Sequence, residues 1–119
     1  AIGQEARMPF ENLQDKLPEL LKTGNPDAVI ALNDRVAVMT ISLLKNYGLK
    51  VPEDIAVIGY DNIDLAPYIT PALTTVDQNN KELSGKAIEI VTKLIEGTEI
   101  PQDQREITVT PKLVIRESA

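Results

Sequence analysis

Ala28-Val29-Ile30-Ala31-Leu32, closed by Asn33-Asp34, and Ile55-Ala56-Val57-Ile58-Gly59, closed by Tyr60-Asp61-Asn62, are the stretches on which the fold turns. Each is a short continuous apolar run with a polar end, the pattern of a strand buried on both faces. Between them the spacing is helical. Val36, Ala37, Thr40, Ile41, Leu43 and Leu44 supply the apolar surface, and Gly48 stands where a left-handed C-terminal cap belongs. Leu49-Lys50-Val51-Pro52-Glu53-Asp54 makes the turn into the second run. Strand, helix, strand at this spacing is a βαβ unit with parallel pairing. The class is therefore α/β, a parallel sheet flanked by helices.

Upstream, residues 1–7 read as a strand end or a loose terminus. After Pro9, Leu13, Leu17, Leu20 and Leu21 fall on one face of a helix that holds Pro18. That helix is either kinked at Pro18 or starts late, with Asp15 as its cap. Downstream, residues 60–71 read as irregular and Leu73 to Val76 as a short strand. A long amphipathic helix is expected over residues 81–96, burying Leu83, Ala87, Ile90, Val91 and Leu94, with Gly97 closing it. Glu82, Glu89 and Glu96 then mark its solvated side. Residues 107–110 alternate as an edge strand would, and Leu113-Val114-Ile115 resumes as a last strand after Pro111.

Composition removes many function classes. The 119 residues contain no Cys and no His, so thiol nucleophiles, Ser-His-Asp triads and Cys/His zinc sites are excluded. A net charge of -6 without a basic run argues against duplex binding by this segment. No stretch is apolar for long enough to span a bilayer. No phosphate-cradling glycine motif follows a strand, and nothing supplies a nucleophile or metal cage beside Asp34 and Asp61. A phosphate-accepting receiver domain would need a Lys after its last strand, and no suitable one is there. We expect no catalytic residue, no metal and no cofactor: this is not an enzyme.

In open parallel sheets, ligands bind beyond the carboxyl ends of the strands. Asn33 follows the first clear strand and Asp61 the second, and an amide beside a carboxylate suits hydroxyls or ring nitrogens. Gln78, past the third strand, is a possible polar wall of the same cleft, and Tyr60 points either into it or into the core. Local sequence equally supports Asn33 and Asp34 as helix caps and Asp61-Asn62 as an Asx-type turn.

Four motifs now resemble one family. Pro26-Asp27-Ala28-Val29-Ile30-Ala31-Leu32-Asn33-Asp34 is similar to the P-T-A…N-D segment of LacI/GalR regulators. Residues 48–62 resemble their G-L-x-V-P-x-D…G-[F/Y]-D-[D/N] signature, residues 68–76 their P-x-L-T-[T/S]-[V/I] crossover, and residues 111–118 their closing P-x-L-[V/I]-x-R-x-S. The resemblance implies an incomplete periplasmic-binding-protein-like type I fold. Residues 1–76 would belong to the C-terminal lobe of the effector-binding core. Residues 77–110 would cross the hinge and lend a helix and a strand to the N-terminal lobe, and residues 111–119 would return. The family's cleft residues match Asn33 and Asp61, with Gln78 a weaker carry-over at the hinge. The implied partners are a small effector, sugar or purine-like, and a second copy of the chain. The homodimer would form through Val38 and Ile69, positions that equally suit core packing. DNA enters only through a headpiece absent from this chain, and no membrane is involved. The implied compartment is cytoplasmic and the mechanism allosteric. The alternative is a periplasmic sugar-binding protein of an ABC-type transporter.

Overall fold

The computed structural model describes residues 13–119; the reading of residues 1–7 lies outside them. The first helix, α1 (Leu13–Gly24), runs through Pro18 rather than starting beside it, so Asp15 sits inside the helix and is not its cap. Leu13 and Leu17 are buried and Leu20 and Leu21 half-buried, as the spacing predicts.

Strand β1 (Ala28–Ile30), helix α2 (Asp34–Asn46) and strand β2 (Ala56–Tyr60) form the expected parallel βαβ unit, in register at Val29↔Val57 and Ile30↔Ile58. Gly48 takes φ 77°, and the Tyr47 N–H returns to the Leu43 carbonyl to end α2. Strand β3 (Thr74–Asp77) lies parallel on the other side of β2, and β4 (Lys112–Val114) closes the order β1-β2-β3-β4 antiparallel to β3.

One core holds the molecule together: Leu13 and Leu17 of α1, Ala37, Ile41 and Leu44 of α2, and Ala31, Ile55, Val57, Ala66 and Leu73 from the sheet and its loops. Because side chains alternate along a strand, covering one face leaves the other open. Val29, Ala31 and Val57 turn toward the core. By the same alternation and register, Ile30 (80% exposed), Leu32 (81%) and Ile115 (72%) lie on the open face. The expectation that the first strand is buried on both faces therefore fails. The apolar run is present, but the described residues supply a helical layer for one face only.

The long helix, α3 (Asn80–Ile95), departs in the same way. It forms over the expected residues and ends at Gly97 (φ 73°), yet none of its residues is buried. Leu83, Ala87, Val91 and Leu94 are exposed and Ile90 is half-buried. The amphipathic stripe exists without a surface to cover it among the described residues. Residues 107–110, expected as an edge strand, form none.

The expected solvated side of α3 carries two ion pairs, Lys86 Nζ–Glu82 Oε1 at 2.7 Å and Lys93 Nζ–Glu89 Oε1 at 2.6 Å. Hydrogen bonding and then charge attraction from these lysines hold both carboxyls below the ordinary glutamate range. A carboxylate lowered on folding stabilises the helix above its unfolded pKa, and the contribution is lost as pH falls through the lowered value. A carbon-detected NMR titration is expected to find both midpoints below the ordinary glutamate value and to move them upward with added salt. Midpoints at the ordinary value would show that the pairs do not persist in solution.

Candidate functional site

The carboxyl ends of β1, β2 and β3 bring the polar residues together. Ile30 and Ile58 are in register, and Asn33 and Asp61 each follow three residues later, past the carboxyl ends of β1 and β2. Asn33 is extended (φ -155°), and its Oδ1 accepts the Val36 N–H at 3.0 Å, capping α2. Among the described residues its side-chain amide has no hydrogen-bond acceptor.

Asp34, the other expected cap, has a different task. It is fully buried. One carboxylate oxygen accepts the Thr75 hydroxyl at 2.5 Å and the other the Ile63 N–H at 2.8 Å. The first residue of α2 is thereby tied to β3 and to the loop that displays Asp61. With no exposed surface, Asp34 is not accessible to a ligand as an acid or base. Room for this carboxylate exists because its neighbour on β2 is Gly59, where an added Cβ would strike Asp34 Oδ1.

Asp61 leaves β2 with φ 114° and Asn62 follows at φ 51°, both in the left-handed region. The Asp61 N–H donates to the Val76 carbonyl at 2.9 Å, and its carboxylate accepts Gln78 Nε2 at 2.6 Å. Asp61 and Gln78 therefore meet directly. Asn33 makes no hydrogen bond to either. Tyr60 ends β2 on the face opposite Gly59 and is partly exposed (38%), so it does not enter the core.

Sequence reasoning did not pick out three residues that frame this pair. Asn62 Oδ1 accepts from Arg116 Nη2 at 2.8 Å, and Asn62 Nδ2 donates to Asp77 Oδ2 at 3.1 Å. Arg116 also donates to the Leu73 carbonyl at 2.6 Å. The signal for Arg116 was the closing R-x-S motif. Its serine, Ser118, is buried, donates to the Val57 carbonyl at 2.6 Å and accepts the Thr74 N–H at 2.9 Å, stitching β2 to β3.

A cleft of about 690 Å³ opens at this rim, lined by Asp61, Asn62, Asp64, Asp77, Asn79 and Lys81 among others. A second hollow of about 610 Å³ lies at the amino ends of the strands, between Pro18, Leu21, Tyr47, Leu49 and Ile55. Of the expected site residues only Asp61 lines the first cleft; Asn33, Tyr60 and Gln78 do not. We take the first as the candidate site because it opens at the carboxyl ends of the strands. Among the described residues no group of three or more acidic side chains could hold a metal ion. No helix among them is long and apolar enough to cross a membrane.

Residues 2–119 match the family model described as the periplasmic binding protein-like domain. Over 93 residues the chain is 44% identical to the HTH-type transcriptional repressor PurR of Photobacterium profundum, covering 78% of this chain and 27% of that protein. It superimposes with a TM-score of 0.82 and 30% identity on a LacI-type transcription regulator from Bifidobacterium animalis subsp. lactis, covering 95% of this chain and 40% of that one. A LacI family regulator from Arthrobacter sp., solved in complex with lactose, gives 0.77 and 33%, covering 95% and 42%. The chain belongs to the periplasmic binding protein-like family, as a fragment of the effector-binding core of a LacI/GalR-type regulator. It spans under a third of the length of the curated relatives it matches, and those relatives are transcriptional repressors, not enzymes.

Proposed function

We propose that this segment is the effector-sensing and dimerisation part of a DNA-binding transcriptional regulator. Residues up to Val76 form most of the C-terminal lobe. Residues 77–110 cross the hinge and belong with the N-terminal lobe, and residues 111–119 return. The exposed apolar face of α3 supports this division, since its stripe needs a second surface.

The observation that carries the reading is the Asp61–Gln78 pair just past the strand ends. Asp61 would accept from a ligand hydroxyl or ring N–H, while the Asn33 and Gln78 amides donate. Tyr60 would flank them. That set fits a sugar or a nucleobase or nucleoside. Effector binding between two lobes changes their relative orientation, and the dimer passes the change to a DNA-binding headpiece. Val38 on α2 and Ile69 in the loop after Asp61 are half-buried, which leaves each an exposed portion for a partner subunit. The repressor relatives favour this reading, in the cytoplasm, over the transporter component. The test is calorimetry of the intact regulator against lactose, cellobiose, guanine and guanosine. We expect saturable heat with one of them; no heat with any would overturn the reading.

A further inference from the structure

Two consecutive left-handed residues, neither of them glycine, need something to hold them. Asn62 is held from both sides. Its Oδ1 takes Arg116, two residues beyond β4, and its Nδ2 reaches Asp77, the last residue of β3. Asp77 is itself fixed, because its other oxygen accepts the Asn79 N–H at 2.7 Å. Gln78 lies between those two anchored residues and donates to Asp61. The outgoing and the returning segments thus meet on one amide, next to the residue that faces the cleft.

We propose that Asn62 is the positioning residue of the cleft, coupling the Asp61–Gln78 pair to both chain crossings through Asp77 and Arg116. The inference rests on the effector-cleft reading for its purpose but not for its test. A relative twist of the strand ends at Asp77 and Arg116 pulls the two atoms of the Asn62 amide in different directions. Asp61 and Gln78 then part.

The polarity of the amide makes the idea testable in the ligand-free 119-residue chain. Asn62→Gly keeps a residue at ease with positive φ and removes the side chain. Asn62→Asp keeps the acceptor for Arg116 but sets a carboxylate against Asp77. Asn62→Asp combined with Asp77→Asn restores every donor and acceptor. Arg116 and the new amide at position 77 both donate to the carboxylate then at position 62, and the amide oxygen still accepts the Asn79 N–H. The readout is the rate at which the Gln78 side-chain amide protons exchange with water, measured by NMR magnetisation transfer, with circular dichroism to confirm the fold. Losing a hydrogen bond of ordinary strength is expected to speed exchange about three- to tenfold in both single variants. The double variant is expected to return to within about twofold of the unaltered chain, as compensating partners in one network should. Unchanged exchange in Asn62→Gly, or a double variant as fast as Asn62→Asp alone, overturns the proposal and leaves the effector reading standing. Absent calorimetric heat in the intact regulator has the opposite effect.

Discussion

Gly59→Ala is expected to lower the unfolding free energy of the chain by about 2–4 kcal/mol, read as a lower urea midpoint at unchanged slope. The added Cβ would run into Asp34 Oδ1, with Asp34 Cγ at 3.2 Å and Leu73 Cδ2 at 3.0 Å. Asp34 cannot swing aside freely, because its two oxygens are committed to Thr75 and to the Ile63 N–H. Movement of the carboxylate leaves a buried donor unpaired, a penalty of roughly 1–3 kcal/mol beyond the overpacking itself. Two comparisons isolate the cause. Gly85→Ala meets nothing within 4 Å on exposed α3 and should be neutral or stabilising by up to about 1 kcal/mol, from helix propensity alone. Shortening the obstacle with Asp34→Ser should make the double variant less damaging than the sum of the singles. A loss below about 1 kcal/mol for Gly59→Ala would mean that Asp34 gives way, and that its two hydrogen bonds do not constrain the rim.

The same glycine shows where reading a sequence stops. Strand, helix, strand was legible because apolar runs, their polar ends and Gly48 are local signals, and the register of β1 on β2 followed. Which of Asn33 and Asp34 caps α2 was not legible, since both suit the position. The choice is made by a missing Cβ on another strand and by a hydroxyl 41 positions away. Burial was misread where no described residue covers the apolar face. A pattern such as that of Ile30 and Leu32, or of Leu83 and Leu94, states that a face is apolar and nothing about what meets it. Asp61 and Gln78 were nameable from their places past the strand ends and again through the family resemblance, whereas their direct hydrogen bond depends on how β3 pairs with β2. Asn62, Asp77 and Arg116 were not assigned to the site for a similar reason. Their contacts bridge 15 and 54 positions, and each residue alone looks like ordinary polar surface.

In the intact regulator, Asp61→Asn is expected to weaken effector binding by about 100-fold or more, the equivalent of one or two charge-assisted hydrogen bonds. Asparagine is the informative substitute because it tolerates the positive φ at this position, where alanine would add backbone strain of its own. Its Oδ1 can still accept from Gln78 Nε2, so the pair and the rim persist. What changes is the oxygen facing the cleft, which becomes an N–H₂ group set against a ligand donor. Asp61→Gly removes both oxygens without straining the backbone and should bind at least as weakly. Gln78→Ala removes one neutral amide and is expected to lose only about three- to tenfold. The order Asp61→Gly, Asp61→Asn, Gln78→Ala is thus a signature of a carboxylate that contacts the ligand and an amide that supports it. Calorimetric titration with whichever of lactose, cellobiose, guanine or guanosine binds the unaltered regulator would test it. An Asp61→Asn protein within about threefold of the unaltered affinity would show that the carboxylate serves the turn into β3 and leaves the ligand to other residues.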